Sequence, residues 1–372
     1  MRTPRLSVHM IVRNGAKVVS RALRPLVGIA DEICIVDTGS TDGTPDAIRK
    51  ICDDIVASFS GVAVTPLSRP DLYFPDIPES YAPHVVPECS GAYILRDWAA
   101  ARNLGLGQCR GRYIMKLDAD DEVLTPENIL PALDYLDNHP DLDILACPYE
   151  VMSHGLESHG LGDGSVRTDY VTMYTRLWRN KSEIFFREIC HDNVDWCRRL
   201  DGSNWIMTNE GLYVRDWRDN VGNGTRAPHR NLKTFLVEYL RCHLADVAPS
   251  PHVLIYLADE SAEVMPTLAL AVLDELPESL ENNDEAWRHF TRARALEHMG
   301  LFTDAGWYYR KAVFHGWDRA SLRNALMLAR RGEQAWRDLM ETAIYRNEGH
   351  FYPRYASVLE IEAARAILKS GG

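Results

Sequence analysis

The 372-residue sequence predicts an α/β domain on an open, mostly parallel sheet, followed by an all-α region. Three observations lead there. From Leu6 to Phe59, short β-rich runs alternate with segments of helical spacing. Two strand-like runs, residues 33–36 and 113–117, end directly on an aspartate, as buried strands do at a ligand-binding sheet edge. After about Arg226, every segment is of helix length and punctuated by Pro or Gly.

Residues 6–12 read as the first strand. In residues 16–30, Val19, Leu23, Leu26 and Val27 share one helical face, with Pro25 as a break. Residues 33–36 form the second strand, 45–52 a short helix and 55–59 a third strand. Residues 65–96 break the pattern. Six prolines there interleave with Tyr73, Phe74, Tyr81 and Tyr93, which suggests a functional flap. Residues 97–109 are helical, 113–117 a strand, and 126–138 a helix capped by Thr125. Residues 143–149 and 171–178 are further strands. Seven helices follow between residues 229 and 347, and 286–316 looks like a tetratricopeptide-type hairpin with Ala293 and Ala305 at a close crossing. The expected domains are residues 1–225 and 226–372.

With 46% hydrophobic residues, the chain can bury a full core in each domain. The net charge of −12 argues against a general nucleic-acid coat. Charge is uneven, however: residues 118–163 hold twelve acids and no Lys or Arg, while residues 285–331 hold nine Lys and Arg against four acids. The eight cysteines form no C-x-x-C pair and read as free thiols of a reducing compartment. No apolar run reaches membrane-spanning length, so the expectation is a cytoplasmic protein without a membrane span.

Four motifs carry chemistry. Residues 37–43 (DTGSTDG) follow a strand, where a carboxylate can accept hydrogen bonds from a base or ribose; the alternative is a tight turn using Gly and Asp. Residues 116–122 (KLDADDE) place four acids within five residues, which repel one another without a counter-ion. A bound Mg²⁺ or Mn²⁺ removes that repulsion; the alternative is a solvated acidic turn. Residues 97–103 (DWAAARN) offer Arg102 either to a diphosphate or to a neighbouring acid. Residues 187–192 (REICHD) set His191, a structural histidine or a metal ligand, beside Asp192.

Together, MIVRNGAKVVSRAL, ADEICIVDTGSTDGT, DWAAARNLGL, GRYIMKLDADDEVL and RLWRNKSEIFFREICHDNV resemble the family-2 glycosyltransferases of GT-A fold. The branch is that of bacterial and phage enzymes with helical, tetratricopeptide-like C-terminal regions. The resemblance spans residues 6–195, with an echo to about 240. It implies that Arg13, Asn14 and Asp37 line the nucleotide-sugar pocket and that Arg102 lies near the phosphates. Asp118 would touch ribose or metal, Asp120 would bind the metal, and His191 would be a further ligand. Gly15 stands where the family usually has Glu, and Asp192 where an I-H-E pattern has Glu.

The expected activity is transfer of a hexose or N-acetylhexosamine from a UDP-sugar, with inversion, to an acceptor hydroxyl or thiol. Asp192 is the first choice of general base, Glu188 the second and Asp121 the third. The acceptor is left open among a peptide, a glycan and a modified DNA base, the last as in phage enzymes acting on hydroxymethylated pyrimidines. The rivals are a catalytically inactive scaffold and a nucleotidyltransferase. Intact Asp118, Asp120 and His191 oppose the first, and the lack of a Gly-rich phosphate loop after the first strand opposes the second.

Overall fold

The computed structural model describes residues 4–55, 61–66, 97–154, 166–187, 194, 206–208, 211–217, 230–278, 280, 282–333, 336–350 and 355–370. The chain divides into two compact units, Met1–Ser153 with Thr172–Pro228, and His154–Val171 with His229–Gly372. An α/β region precedes an all-α one, as the sequence predicts.

The first region runs β1 (Leu6–Val12), α1 (Val19–Leu23), β2 (Glu32–Asp37), α2 (Thr44–Ile55), β3 (Gly61–Pro66), α3 (Trp98–Leu106) and β4 (Tyr113–Lys116). It continues with β5 (Asp121–Val123), α4 (Ile129–Asn138), β6 (Ile144–His154), β7 (Val166–Arg179), β8 (Ile206–Thr208) and β9 (Val214–Asp216). One sheet has the order β3-β2-β1-β4-β7-β6-β9-β5, with β8 pairing β6. β1, β2, β3 and β4 run parallel, whereas β4 meets β7 antiparallel.

Two expectations need correcting. The third described strand is Gly61–Pro66; of the run expected over 55–59, residues 56–59 lie outside the described residues, and Ile55 belongs to α2. Ile48, Ile51 and Ile55 recur at the helical spacing of three and four, so the apolar residue read as a strand start closes α2 instead. Thr125 stands at the N-cap of the 3-10 turn Pro126–Asn128 before α4, but its side chain makes no capping bond. Its hydroxyl donates to the Gly211 carbonyl at 3.0 Å and accepts from the Tyr213 amide at 2.9 Å, fastening the segment that leads into β9.

Helix α3 packs hard onto the sheet. A Cβ on Gly105 would lie 2.5 Å from His9 Cε1 and 2.8 Å from Val36 Cγ2, so this crossing requires glycine. Cys34, Ala99, Ile114, Ile144, Trp178, Ile184 and Phe186 form the core that joins α3 to β2, β4, β6 and β7. Among the described residues, Cys34, Cys109, Cys147 and Cys242 are buried free thiols.

The second region comprises α5 (Arg230–Leu244), α6 (Pro251–Ser261), α7 (Pro266–Asp274), α8 (Asn282–His298), α9 (Phe302–Phe314), α10 (Arg319–Arg330), α11 (Trp336–Asn347) and α12 (Val358–Ser370). Proline opens α6 and α7, where its missing N–H costs nothing. Ala293 and Ala305 are buried together at the close α8–α9 crossing, as their size suggests. Helix α12 is absent from the sequence reading. Its start is a capping box: Glu360 N donates to Ser357 Oγ at 3.2 Å, and Ser357 N donates to Glu360 Oε2 at 3.0 Å.

Candidate functional site

The strand order reverses beside β1. The chain walks outward through β2 and β3, then returns to β4 on the other flank of β1. In open α/β sheets ligands bind at the carboxyl ends of strands where the order switches. Asn14, Asp37 and Asp118 follow or end β1, β2 and β4, so all three flank that point.

At the β1–β2 edge, a hydrogen-bonded turn accounts for the 37–43 motif. The Asp37 carboxylate accepts from Ser40 N at 3.1 Å and from Ser40 Oγ at 2.6 Å. Asn14 adopts φ +52°, a left-handed conformation that Asn tolerates better than most residues. Its Oδ1 accepts from the Thr41 amide at 2.8 Å while its own amide donates to Ser40 Oγ at 2.8 Å. Asn14 and Asp37 are thus tied into one loop. Gly15 also has a steric reason to be glycine: a Cβ there would sit 2.9 Å from Val12 Cγ2 and 3.3 Å from Ala119 Cβ, inside the acid run.

The 97–103 motif resolves into four jobs. Asp97 caps α3 by accepting from Ala100 N at 2.7 Å. Ala99 and Ala101 face the core. Asn103 clamps the backbone of Phe186 through two reciprocal bonds of 2.9 Å. Arg102, buried, donates from Nη2 to Asp118 Oδ1 at 2.7 Å. Of the two partners open to Arg102, the described structure shows the neighbouring acid.

The acid run splits in two. Asp118 faces three cations: Arg102, Arg176 at 3.3 Å and Lys116 at 4.0 Å. Burial pushes its carboxyl up, but Arg102, Lys116 and Arg176 outweigh that and hold it well below the usual carboxylate range. Asp121, fully buried, lies 3.1 Å from Arg176 and accepts from Tyr149 Oη at 2.9 Å. Burial, opposed by Arg176 and reinforced by Asp118, Asp216 and Asp120, pushes its carboxyl up to about 8.

Asp121 also pairs directly with Asp216 across the antiparallel β5–β9 ladder. Like charges opposed in that way repel. Asp120, Asp121 and Asp216 each offer an oxygen, and these oxygens lie within 4.8 Å of one another. Around an octahedral Mg²⁺-sized ion with bonds of about 2.1 Å, ligand oxygens lie up to about 4.2 Å apart. Three hard carboxylate donors grouped this closely suit a divalent cation.

Of the residues expected at the site, Asp118, Asp120 and Arg102 converge, and Asn14 and Asp37 share the turn beside them. Arg13 is half-buried beyond the end of β1. Glu188, His191 and Asp192 lie outside the described residues, as does nearly all of the 65–96 segment. Sequence reasoning missed Arg176, Tyr149 and Asp216. Asp216 belongs to a three-residue strand too short to show a period, and Arg176 reads as one more residue of an alternating strand.

Residues 7–70 and 95–190 match the family model described as "Glycosyl transferase family 2". The matched part is less than half of the chain. It contains β1 through β4, the DTGSTDG turn, α3 and the acid run. A TPR repeat-containing protein of Synechococcus elongatus is 26% identical over 244 residues, covering 63% of this chain and 48% of that protein. The chain thus spans about half the length of that relative. Among solved structures, S. aureus TarS 1–349 in complex with UDP-GlcNAc is 15% identical, with a TM-score of 0.41 over 79% of this chain and 89% of that one. Mannosyltransferase PcManGT from Pyrobaculum calidifontis, in complex with GDP-Man and Mn²⁺, is 17% identical, with a TM-score of 0.40 over 86% of this chain and 89% of that one. Among the described residues, no helix is long and apolar enough to cross a membrane.

Proposed function

We propose that the chain is an inverting glycosyltransferase that moves a hexose or N-acetylhexosamine from a UDP-sugar to an acceptor hydroxyl or thiol, with a divalent cation at the acid cluster. The observation that carries this reading is the group Asp120, Asp121 and Asp216, of which the first two lie within the residues that match the family model. Asp120 is the principal ligand. When bound, Mn²⁺ or Mg²⁺ supplies Lewis-acid stabilisation of the charge that develops on the departing diphosphate.

The remaining work falls to side chains. Asn14 and Asp37 take the nucleoside at the β1–β2 edge, with Arg13 beside them. Arg102 and Lys116 hold Asp118 ionised and add positive charge close to where the diphosphate would lie. The acceptor oxygen attacks the anomeric carbon as the bond to the UDP oxygen breaks. Asp192, with Glu188 second, removes the acceptor proton and UDP leaves as the anion. Residues 1–225 would form the catalytic part and 226–372 the helical part.

The test is a screen of UDP-sugars that reads UDP release with and without Mn²⁺, repeated on Asp120→Ala. Release should require the metal and vanish in the variant, whose thermal unfolding should match the parent. Full release in excess chelator sinks the metal role.

A further inference from the structure

Arg176 occupies an unusual place for a guanidinium. It lies on β7 with 1% exposure, packed against the rings of Tyr149 at 4.2 Å and Tyr174 at 4.8 Å, which themselves lie 5.4 Å apart. Its Nη1 reaches Asp118 Oδ2 at 3.3 Å and Asp121 Oδ2 at 3.1 Å. One side chain thus joins the carboxylate beside the nucleotide edge to one of the three carboxylates grouped for the cation. Tyr149 closes the arrangement, since the ring that stacks on Arg176 also donates its hydroxyl to Asp121 Oδ1 at 2.9 Å. Asp121 Oδ2 accepts the Asp118 amide at 2.8 Å as well, so both of its oxygens are fixed in direction.

We propose that Arg176 is the positioning residue of the cation site, rigidly presenting Asp121 toward Asp120 and Asp216 while holding Asp118 out of the ligand group. The inference rests on the metal reading above. Arg102 and Lys116 carry charge to Asp118; Arg176 alone among these three is also paired with Asp121. It also offsets the repulsion between Asp121 and Asp216, which the β5–β9 register places opposite one another. A planar guanidinium can pack against aromatic rings and still direct one nitrogen at two carboxylates. A lysine ammonium keeps the charge and loses that geometry. Groups that orient metal ligands from behind contribute strongly to affinity, and their loss costs about 10- to 100-fold.

The experiment is calorimetric titration of Mn²⁺ alone into the full chain, with no sugar donor present. Arg176→Lys preserves charge, so a purely electrostatic role leaves the Kd unchanged, whereas the positioning role raises it about tenfold. Tyr174→Leu removes the ring that Arg176 and Lys116 pack against and neither carboxylate contact. It should weaken Mn²⁺ binding about threefold, the scale of one lost cation–π contact. Parental affinity in a folded Arg176→Lys overturns the role. If that variant does not fold, Tyr174→Leu decides alone: weakened Mn²⁺ binding supports the role and unchanged binding overturns it. A parent protein that takes up no Mn²⁺ overturns the metal reading itself, and the inference with it.

Discussion

Acidification should destabilise the α/β unit through His9, by an amount set by that residue's burial. His9 sits at the centre of β1, between Cys34 of β2 and Lys116 of β4 in register, with no exposed surface. Burial, and then the nearby charges of Arg102 and Lys116, lower its pKa to about 3. The unfolded chain binds the proton at about 6.5. Below that pH the unfolded state takes up a proton that the folded state refuses, so stability is lost as pH falls from about 6.5 toward 3. Between pH 7 and pH 5 this single group should remove about 2 kcal/mol.

The assay is urea unfolding at both pH values for the parent and for His9→Gln, which cannot take the proton. Other titrating groups contribute equally to both proteins and cancel in the comparison. The parent should lose about 2 kcal/mol more than the variant. Equal losses would refute the neutral, buried His9 and the cation-rich layer drawn around it.

Gly105→Ala should destabilise by up to about 2 kcal/mol in the same urea assay at pH 7, because overpacking against His9 and Val36, worth about 1–3 kcal/mol, outweighs the helix-propensity gain of about 1 kcal/mol; a stabilised variant would show that α3 can shift outward. Glu360 is buried against Arg319 and Arg323, whose charges outweigh burial and hold its carboxyl down to about 2. Glu360→Ala should therefore cost about 3–5 kcal/mol and release α12, read as faster amide exchange across Val358–Ser370. Unchanged exchange there would remove the capping box and ion pair from the account of α12. Asp192→Asn should lower turnover by about 10² or more with donor affinity preserved; survival of turnover, with its loss in Glu188→Gln, would exchange the two assignments.

Much of the frame was legible from residues alone. Strand runs ending on Asp37 and just before Asp118 announced the ligand edge, because buried parallel strands are mostly apolar and ligands bind where they leave the sheet at their carboxyl ends. Proline and glycine punctuation revealed seven of the helices after residue 226, since those two residues stop a helix by local chemistry. Helix α12 carried a readable signal as well, in Ser357 followed three residues later by Glu360. Ile55, read as a strand start, closes α2 and shows the limit of short apolar runs, which fit either period.

The sequence by itself determined that four acids crowd one strand end and that something positive must answer them. Which positive group answers each acid was decided only by the tertiary structure. Asp118 meets Arg102 from α3 and Arg176 from β7, 58 residues away. Asp121 meets Arg176, Tyr149 from β6 and Asp216 from β9. Charge repulsion is a property of neighbours along the chain and can be counted in the sequence. Its relief depends on distances between strands, and those exist only once the sheet has brought β4, β5, β6, β7 and β9 together.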